Sequence, residues 1–310
     1  MMRLQQSGQA LGCEVVLTLV VDSEPLGQEI LASLRNKIHE FEKRFSRFLP
    51  NSELSEFNAC AGQKVVVSTE FKRLLQASQE LMRETNGVFS PFVLPALQRA
   101  GYVKSWTNPD AAVHAQTVFT DRRVVASFSD ITYGKQWARI PAETAVDFGG
   151  CGKGYLLDEL SVFLDKQKLG GYWLSLGGDI ICNGHDSDGK AWEIFVSHAT
   201  TPDETVGSAN NSRQKTAVAT SGITKRKGQG WHHIINPATG KPAKTDILTA
   251  TVVCSQAVCA DVYAKCLVIL GGAGWRMFCE QNHQIQTAWV QTKATETGKI
   301  YINTYEKGLN

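Results

Sequence analysis

Four glycines fall within six positions in Gly149-Gly150-Cys151-Gly152-Lys153-Gly154, behind one apolar segment and ahead of another. Such a run has little stability as helix or strand, so it forces a sharp turn on whatever fold contains it. A strand over 145–148 is expected to lead into it. Leu157, Leu160 and Leu164 recur at helical spacing behind it. In a strand–turn–helix of this kind, backbone N–H groups converge on an anion at the helix N-terminus, and Lys153 adds a point charge. Counting excludes two phosphate motifs. Gly150-x-Gly152-x-Gly154 is not G-x-G-x-x-G, and no G-x-x-x-x-G-K-[ST] occurs. On its own the segment reads equally well as a tight turn with a solvated lysine.

Periodicity organises the rest. A strand near 13–21 precedes Asp22-Ser23-Glu24-Pro25, a helix-start signal, and Ile30, Leu34, Ile38, Phe41 and Phe45 predict a helix over 26–45. Residues 46–54 read as a loop. A second helix fits 70–84, with Phe71, Leu74, Leu75, Leu81 and Met82 inward and Asn86-Gly87 as its stop. Segment 101–145 suggests short strands such as 123–127. Strand 172–176 meets the tight turn Gly177-Gly178-Asp179, and 192–197 reads as another strand. The polar stretch 200–214 reads as a surface loop. Strands near 216–220, 231–235 and 249–254 follow, then a helix over 256–270 ending at Gly271-Gly272. Two last strands, 284–291 and 299–304, are joined by a turn containing Thr297-Gly298. Strands and helices mix without strict βαβ alternation, which favours an α+β fold over a doubly wound sheet. With no repeat and no Pro/Ser linker, residues 1–310 are expected to form one domain.

Charge narrows the class of partner. Thirty-two Lys and Arg against 30 Asp and Glu leave a formal +2, without a polybasic run. That argues against nucleic acid, whose binding relies on clustered phosphate neutralisation. No stretch approaches the roughly 18–20 consecutive apolar residues of a membrane span. Ala10-Leu11-Gly12-Cys13 resembles a lipoprotein cleavage box, but the residues before it are short and polar where an export signal needs an apolar core. The expected location is the cytoplasm. Eight cysteines without a C-x-x-C pair agree with it.

Three further groups could carry chemistry. Ser221-Gly222 closes a strand of small residues, which suits close approach of backbone to a ligand. In His232-His233-Ile234-Ile235-Asn236-Pro237-Ala238-Thr239-Gly240, alternation places His233 and Ile235 on one strand face. A histidine held there is an acid or base candidate, or a structural residue bonded to the turn. Asp261 and Lys265 lie four apart among Ala257, Ala260, Ala264 and Leu267, hence on one helix face.

Taken in order, these segments resemble the ApbE family of FAD:protein FMN transferases, over about residues 10–300. Phe45-Ser46-Arg47-Phe48 with Pro50, Ser52-Glu53-Leu54-Ser55 and Asn58 is similar to its S-R-F…S-E-L-S…N segment. Thr85-Asn86-Gly87-Val88-Phe89 resembles T-x-G-x-F-D-P-T, and Asp147 to Tyr155 resembles D-x-G-G-x-A-K-G-Y. Leu176-Gly177-Gly178-Asp179, Ala219-Thr220-Ser221-Gly222 and the His232–Gly240 segment complete the set.

The resemblance implies a two-lobed α+β fold with mixed or antiparallel sheets flanked by helices, and FAD in the cleft between the lobes. It implies cleavage of FAD at its pyrophosphate and transfer of FMN to a Thr or Ser hydroxyl of a target flavoprotein, with release of AMP. Gly150, Lys153, Gly154 and Tyr155 would bind the cofactor, together with Leu11, Asn58, Asp179, Ser221 and Gly222. His233 would be the acid/base group. Asp261, catalytic through the metal, would hold magnesium with the Gly152 carbonyl. Three positions depart from the pattern. Leu11 stands for Met, Ser90 for Asp, and Lys265 for the Thr or Ser metal ligand four residues after Asp261. An ammonium at Lys265 is expected to pair with Asp261 and take the volume and charge of magnesium. The alternative reading is an FAD-binding protein on the same scaffold, non-catalytic or a slow FAD hydrolase.

Overall fold

Eight strands follow one another in a single antiparallel meander, each hydrogen-bonded to the next in chain order. They are β1 (Met2–Ala10), β2 (Cys13–Val21), β3 (Gly171–Leu176), β4 (Asp179–Gly184), β5 (Thr216–Gly222), β6 (Ile247–Cys254), β7 (Thr287–Lys293) and β8 (Ile300–Glu306). The computed structural model describes residues 1–104, 127–212, 214–228 and 231–308. The expected α+β class with antiparallel sheets holds. Of the strand expected over 123–127, all but Ser127 lies outside the described residues.

Two compact units divide the chain. The first comprises Met1–His39, Lys153–Thr224 and Thr245–Asn310; the second comprises Glu40–Gly152 and Lys225–Lys244.

The meander belongs to the first unit. Strand β1 escapes the hydrophobic pattern because it is a polar edge strand, in which every side chain is exposed or only half buried. It pairs with β2 through Leu11-Gly12, where both residues have positive φ, as a type I′ turn requires. Gly177 and Gly178 make the same kind of turn between β3 and β4. The long helix α6 (Ala257–Gln281) packs on β5 and β6. On that side the sheet presents small residues such as Ala217, Ala219 and Ala250, and the helix answers with Ala257, Ala260 and Ala264. The opposite sheet face carries Val218, Val253 and Trp289, which pack with Trp192, Ile194 and Val196. Those last residues belong to, or adjoin, a hairpin of Glu193–Ser197 with Thr205–Asn210. The polar stretch expected as a loop over 200–214 thus contains a strand. It was hidden because only Val206 and Ala209 of that strand pack on the core.

Helix α6 also corrects an expected end. It is broken at Gly271 (φ +68°) and then resumes, because Asp246 accepts the Gly272 N–H at 2.8 Å and caps the second segment. Length and composition alone would let α6 cross a membrane. Here 61 % of its apolar window is buried within the protein, and it carries Asp261 and Lys265.

The second unit packs around Phe45, Phe57, Phe71 and Phe148, whose rings meet at 4.8–5.9 Å. Phe45 ends α1 (Glu24–Phe45), and Phe71 lies in α3 (Thr69–Glu84). Phe57 lies in α2 (Glu53–Ala59), a helix within and beyond the stretch expected as loop. Ser52 caps α2 and Ser68 caps α3, each accepting the N–H three residues on. A short helix α4 (Leu94–Arg99) follows. No ladder forms over 145–148, contrary to the expected strand. A side chain takes the place of a neighbouring strand there: the Asn58 amide donates to the Val146 carbonyl and accepts its N–H, both at 2.8 Å. The expected strand 231–235 is likewise broken into Trp231–His232 and Ile235–Asn236. Ile234 and Ile235 are both buried, so alternation fails at the bend after His232.

Candidate functional site

The register of the meander gathers several of the expected residues at one end of the sheet. Val15 is opposite Leu176, so the Leu11-Gly12 and Gly177-Gly178 turns lie at the same end. Val218 is opposite Ile180, which carries Ser221 and Gly222 past Asp179 to that end as well. Added side chains are refused at this edge: a Cβ on Gly222 would lie 2.6 Å from the Leu248 carbonyl oxygen.

The Gly-rich turn delivers the next helix to this region. Asp147 is buried and accepts the Gly149 N–H at 3.2 Å, which tightens the turn. Helix α5 (Gly152–Leu164) then starts inside the glycine run, putting Lys153, Gly154 and Tyr155 in its first turn. Asp158, on the same helix, accepts the N–H groups of Ala257 and Val258 at 2.8 and 2.9 Å. It caps α6 and sets that helix against the start of α5. Burial raises the Asp158 carboxyl to about 6, against the lowering effect of those two amides.

Four charged side chains converge there. Lys153 is ion-paired with Asp179 and lies 3.9 Å from Asp261 Oδ2. Lys265 is bonded to Asp261 Oδ1, and its ammonium also donates to the Asp261 carbonyl at 3.1 Å. The Gly154 N–H reaches Asp261 Oδ2 at 3.2 Å. Asp261 and Asp179 are 1 % and 3 % exposed. Burial alone would push the Asp261 carboxyl up. The charges of Lys153 and Lys265, the Lys265 hydrogen bond and the Gly154 amide outweigh it and hold the group below the usual carboxylate range.

The expected pairing of Lys265 with Asp261 is present. Magnesium fits this donor set poorly: one Asp261 oxygen is taken by Lys265, the other faces Gly154 and Lys153. Among the described residues no group of three or more His, Cys, Asp or Glu could hold a metal ion.

His233 belongs to the second unit. Its Nδ1 lies 3.1 Å from the Arg226 carbonyl, an acceptor, so Nδ1 carries the proton and Nε2 is the basic nitrogen. His232 is different: its Nε2 donates to the Ala243 carbonyl at 3.0 Å, and burial lowers its pKa, keeping it neutral. Tyr102 meets His233 edge-on at 6.4 Å and stacks with Trp231 at 6.1 Å. Arg47 lies 4.4 Å from the Tyr102 ring and 3.6 Å from Asp147. Ser90 is buried and accepts the Phe92 N–H, starting a short turn. Asn58 is buried and bonded to backbone, as described above. Sequence reasoning did not single out Tyr102 or Asp158 as contributors. Arg47 lies within the Ser-Arg-Phe segment, and only its buried side chain beside Asp147 marks it out.

Solved structures of flavin transferases share this fold. A Pseudomonas stutzeri flavinyl transferase ApbE in its apo form superposes with a TM-score of 0.81 at 18 % identity, over 98 % of this chain and 94 % of that one. The ApbE protein of Thermotoga maritima gives 0.81 at 21 %, over 97 % and 96 %. The chain belongs to the ApbE family, whose profile matches residues 11–289. It is similar to a protein of Vibrio cholerae named FAD:protein FMN transferase, at 26 % identity over 85 % of this chain and 78 % of the relative. A Haemophilus influenzae protein of the same name is 24 % identical over 82 % and 75 %.

Proposed function

We propose that this chain is an FAD:protein FMN transferase acting on a Thr or Ser hydroxyl of a flavoprotein. The observation that carries the reading is the name its relatives share, across alignments spanning most of the chain. The site supports it: Lys153, at the start of α5, presents fixed positive charge among Gly154, Asp179 and the sheet end bearing Ser221 and Gly222. A pyrophosphate needs such charge, since phosphoryl transfer is accelerated mainly by positioning and electrostatics.

The acceptor hydroxyl oxygen attacks the phosphorus on the FMN side, and the bond from that phosphorus to the bridging oxygen breaks. AMP leaves with the bond's electron pair. His233 takes the hydroxyl proton at Nε2, a role supported by the carbonyl that holds Nδ1 protonated. Lys153 and the glycine backbone hold the pyrophosphate, and Leu11, Tyr155, Ser221 and Gly222 line the flavin.

Incubating the protein with FAD and a Thr-bearing flavoprotein, then weighing the acceptor and measuring AMP, tests it. One FMN added per AMP released is the expected result. AMP and free FMN with an unmodified acceptor would instead favour the second reading, FAD binding with slow hydrolysis. That reading draws on Lys265 at Asp261 and on Ser90, which caps a turn where the family pattern has a carboxylate.

A further inference from the structure

Asp261 is the residue to which the family resemblance assigns a divalent cation, and here both of its oxygens already face nitrogen. Lys265 bonds Oδ1 and the Asp261 carbonyl, while Gly154 N–H and Lys153 face Oδ2. Two ammonium groups and two buried carboxylates balance in formal charge. A dication placed on Asp261 would have to displace Lys265 from a side chain that is 2 % exposed, and would then face two ammonium groups at close range.

Lys265 is suited to more than neutralising its partner. An ammonium has three donors. Asp261 takes two of those on Lys265, and the side chain remains 15 % exposed. One donor is therefore left for an oxygen brought from outside. Lysine carries its charge as a compact point on a flexible stem, as a cation substitute must.

We propose that Lys265 is a tethered cation: its ammonium stands where magnesium would, so that this chain binds the pyrophosphate of FAD without a divalent metal. The inference rests on the flavin reading above. The i,i+4 spacing serves it directly, since the helix carries carboxylate and replacement charge on one face and needs no ion from solution.

Fluorescence titration of the intact protein with FAD, once with chelator and once with millimolar magnesium, tests the proposal. The wild-type dissociation constants are expected to agree within about twofold. Lys265→Arg, which keeps the charge, is expected to stay indifferent to magnesium. Lys265→Thr is expected to lose roughly tenfold in chelator and regain it with magnesium. In calorimetry with magnesium alone, wild type is expected to give no binding heat and Lys265→Thr to gain it. Tightening of wild-type FAD binding by roughly tenfold in magnesium overturns the proposal. So does binding of magnesium to the wild-type protein, or a Lys265→Thr variant unaltered in chelator. If Lys265→Thr does not fold, the two wild-type titrations decide alone. Failure to bind FAD under both conditions overturns the flavin reading and this inference with it, whereas metal-dependent binding overturns the inference only.

Discussion

The Gly154 N–H donates to Asp261 Oδ2 at 3.2 Å, joining the first turn of α5 to the first turns of α6. Only glycine permits this approach. A Cβ at Gly154 would lie 2.5 Å from the Ala257 carbonyl oxygen and 2.6 Å from Val258 Cα. Gly154→Ala is therefore expected to destabilise by about 1–3 kcal/mol through overpacking against backbone. Gly152 is different, because its Cβ would meet Phe41 and Phe148 at an ordinary 3.5–3.6 Å. Gly152→Ala is expected to be neutral or to stabilise by up to about 1 kcal/mol. Urea denaturation of both variants checks the contrast.

Asn58 holds Val146 by both edges of its amide, in a buried setting. Asn58→Ala leaves a buried N–H and C=O to find other partners, and is expected to cost about 3 kcal/mol. Asn58→Asp restores the acceptor but sets a carboxylate against the Val146 carbonyl, so it should be no better. Chemical denaturation midpoints at neutral pH read both.

Asp158 supplies a pH signature. Its carboxyl sits near 6 in the fold against an ordinary 3.8, so the folded protein holds a proton that the unfolded chain has released between those values. The associated stability is present below pH 3.8 and is lost as pH rises through about 6. Asp158→Asn removes the titration. From pH 4 to pH 7 its stability is expected to gain on wild type by roughly 2–3 kcal/mol. A constant gap between the two across that range would contradict the assignment.

Lys153 pairs with Asp179 while facing Asp261. Lys153→Met strands a buried carboxylate and should destabilise by about 3 kcal/mol, with part recovered in Lys153→Met/Asp179→Asn. A double-mutant cycle in denaturant gives the coupling, and additive losses would show that the pair contributes none.

Leu11 occupies positive φ (+56°) in the β1–β2 turn. Leu11→Asn should stabilise the hairpin by about 1 kcal/mol, because Asn tolerates this conformation better than Leu. If Leu11 also contacts flavin, the same variant binds FAD more weakly. Thermal shift and FAD titration separate the two effects.

What could be read from the residues was whatever repeats locally. Helices α1 and α3 announced themselves through Ile30, Leu34 and Ile38 and through Phe71, Leu74 and Leu75, all of them buried. The Asp261–Lys265 pair followed from a spacing of four. Partners set by tertiary register stayed hidden. Asp179 reaches Lys153 only because of a strand turn, and Asp158 caps a helix 99 residues downstream. Segment 145–148 looked like a strand because Ala145, Val146 and Phe148 are apolar and indeed buried, but its backbone bonds to the Asn58 side chain and the Pro91 carbonyl instead of a ladder. The edge strand β1 and the outer strand Thr205–Asn210 bury too little apolar surface to show a period.

The ordered meander has a kinetic consequence. The β1–β2, β3–β4 and β7–β8 pairings each close across a short turn. Strands β2 and β3, by contrast, meet only after the chain has run from Val21 to Gly171, and the β4–β5, β5–β6 and β6–β7 pairs form across Gly184 to Thr216, Gly222 to Ile247 and Cys254 to Thr287. Contact order is thus greatest at the β2–β3 seam, and the three hairpins can zip long before the sheet is continuous. A permutant with new termini between Val21 and Gly171 would relocate that delay without altering a single strand pair.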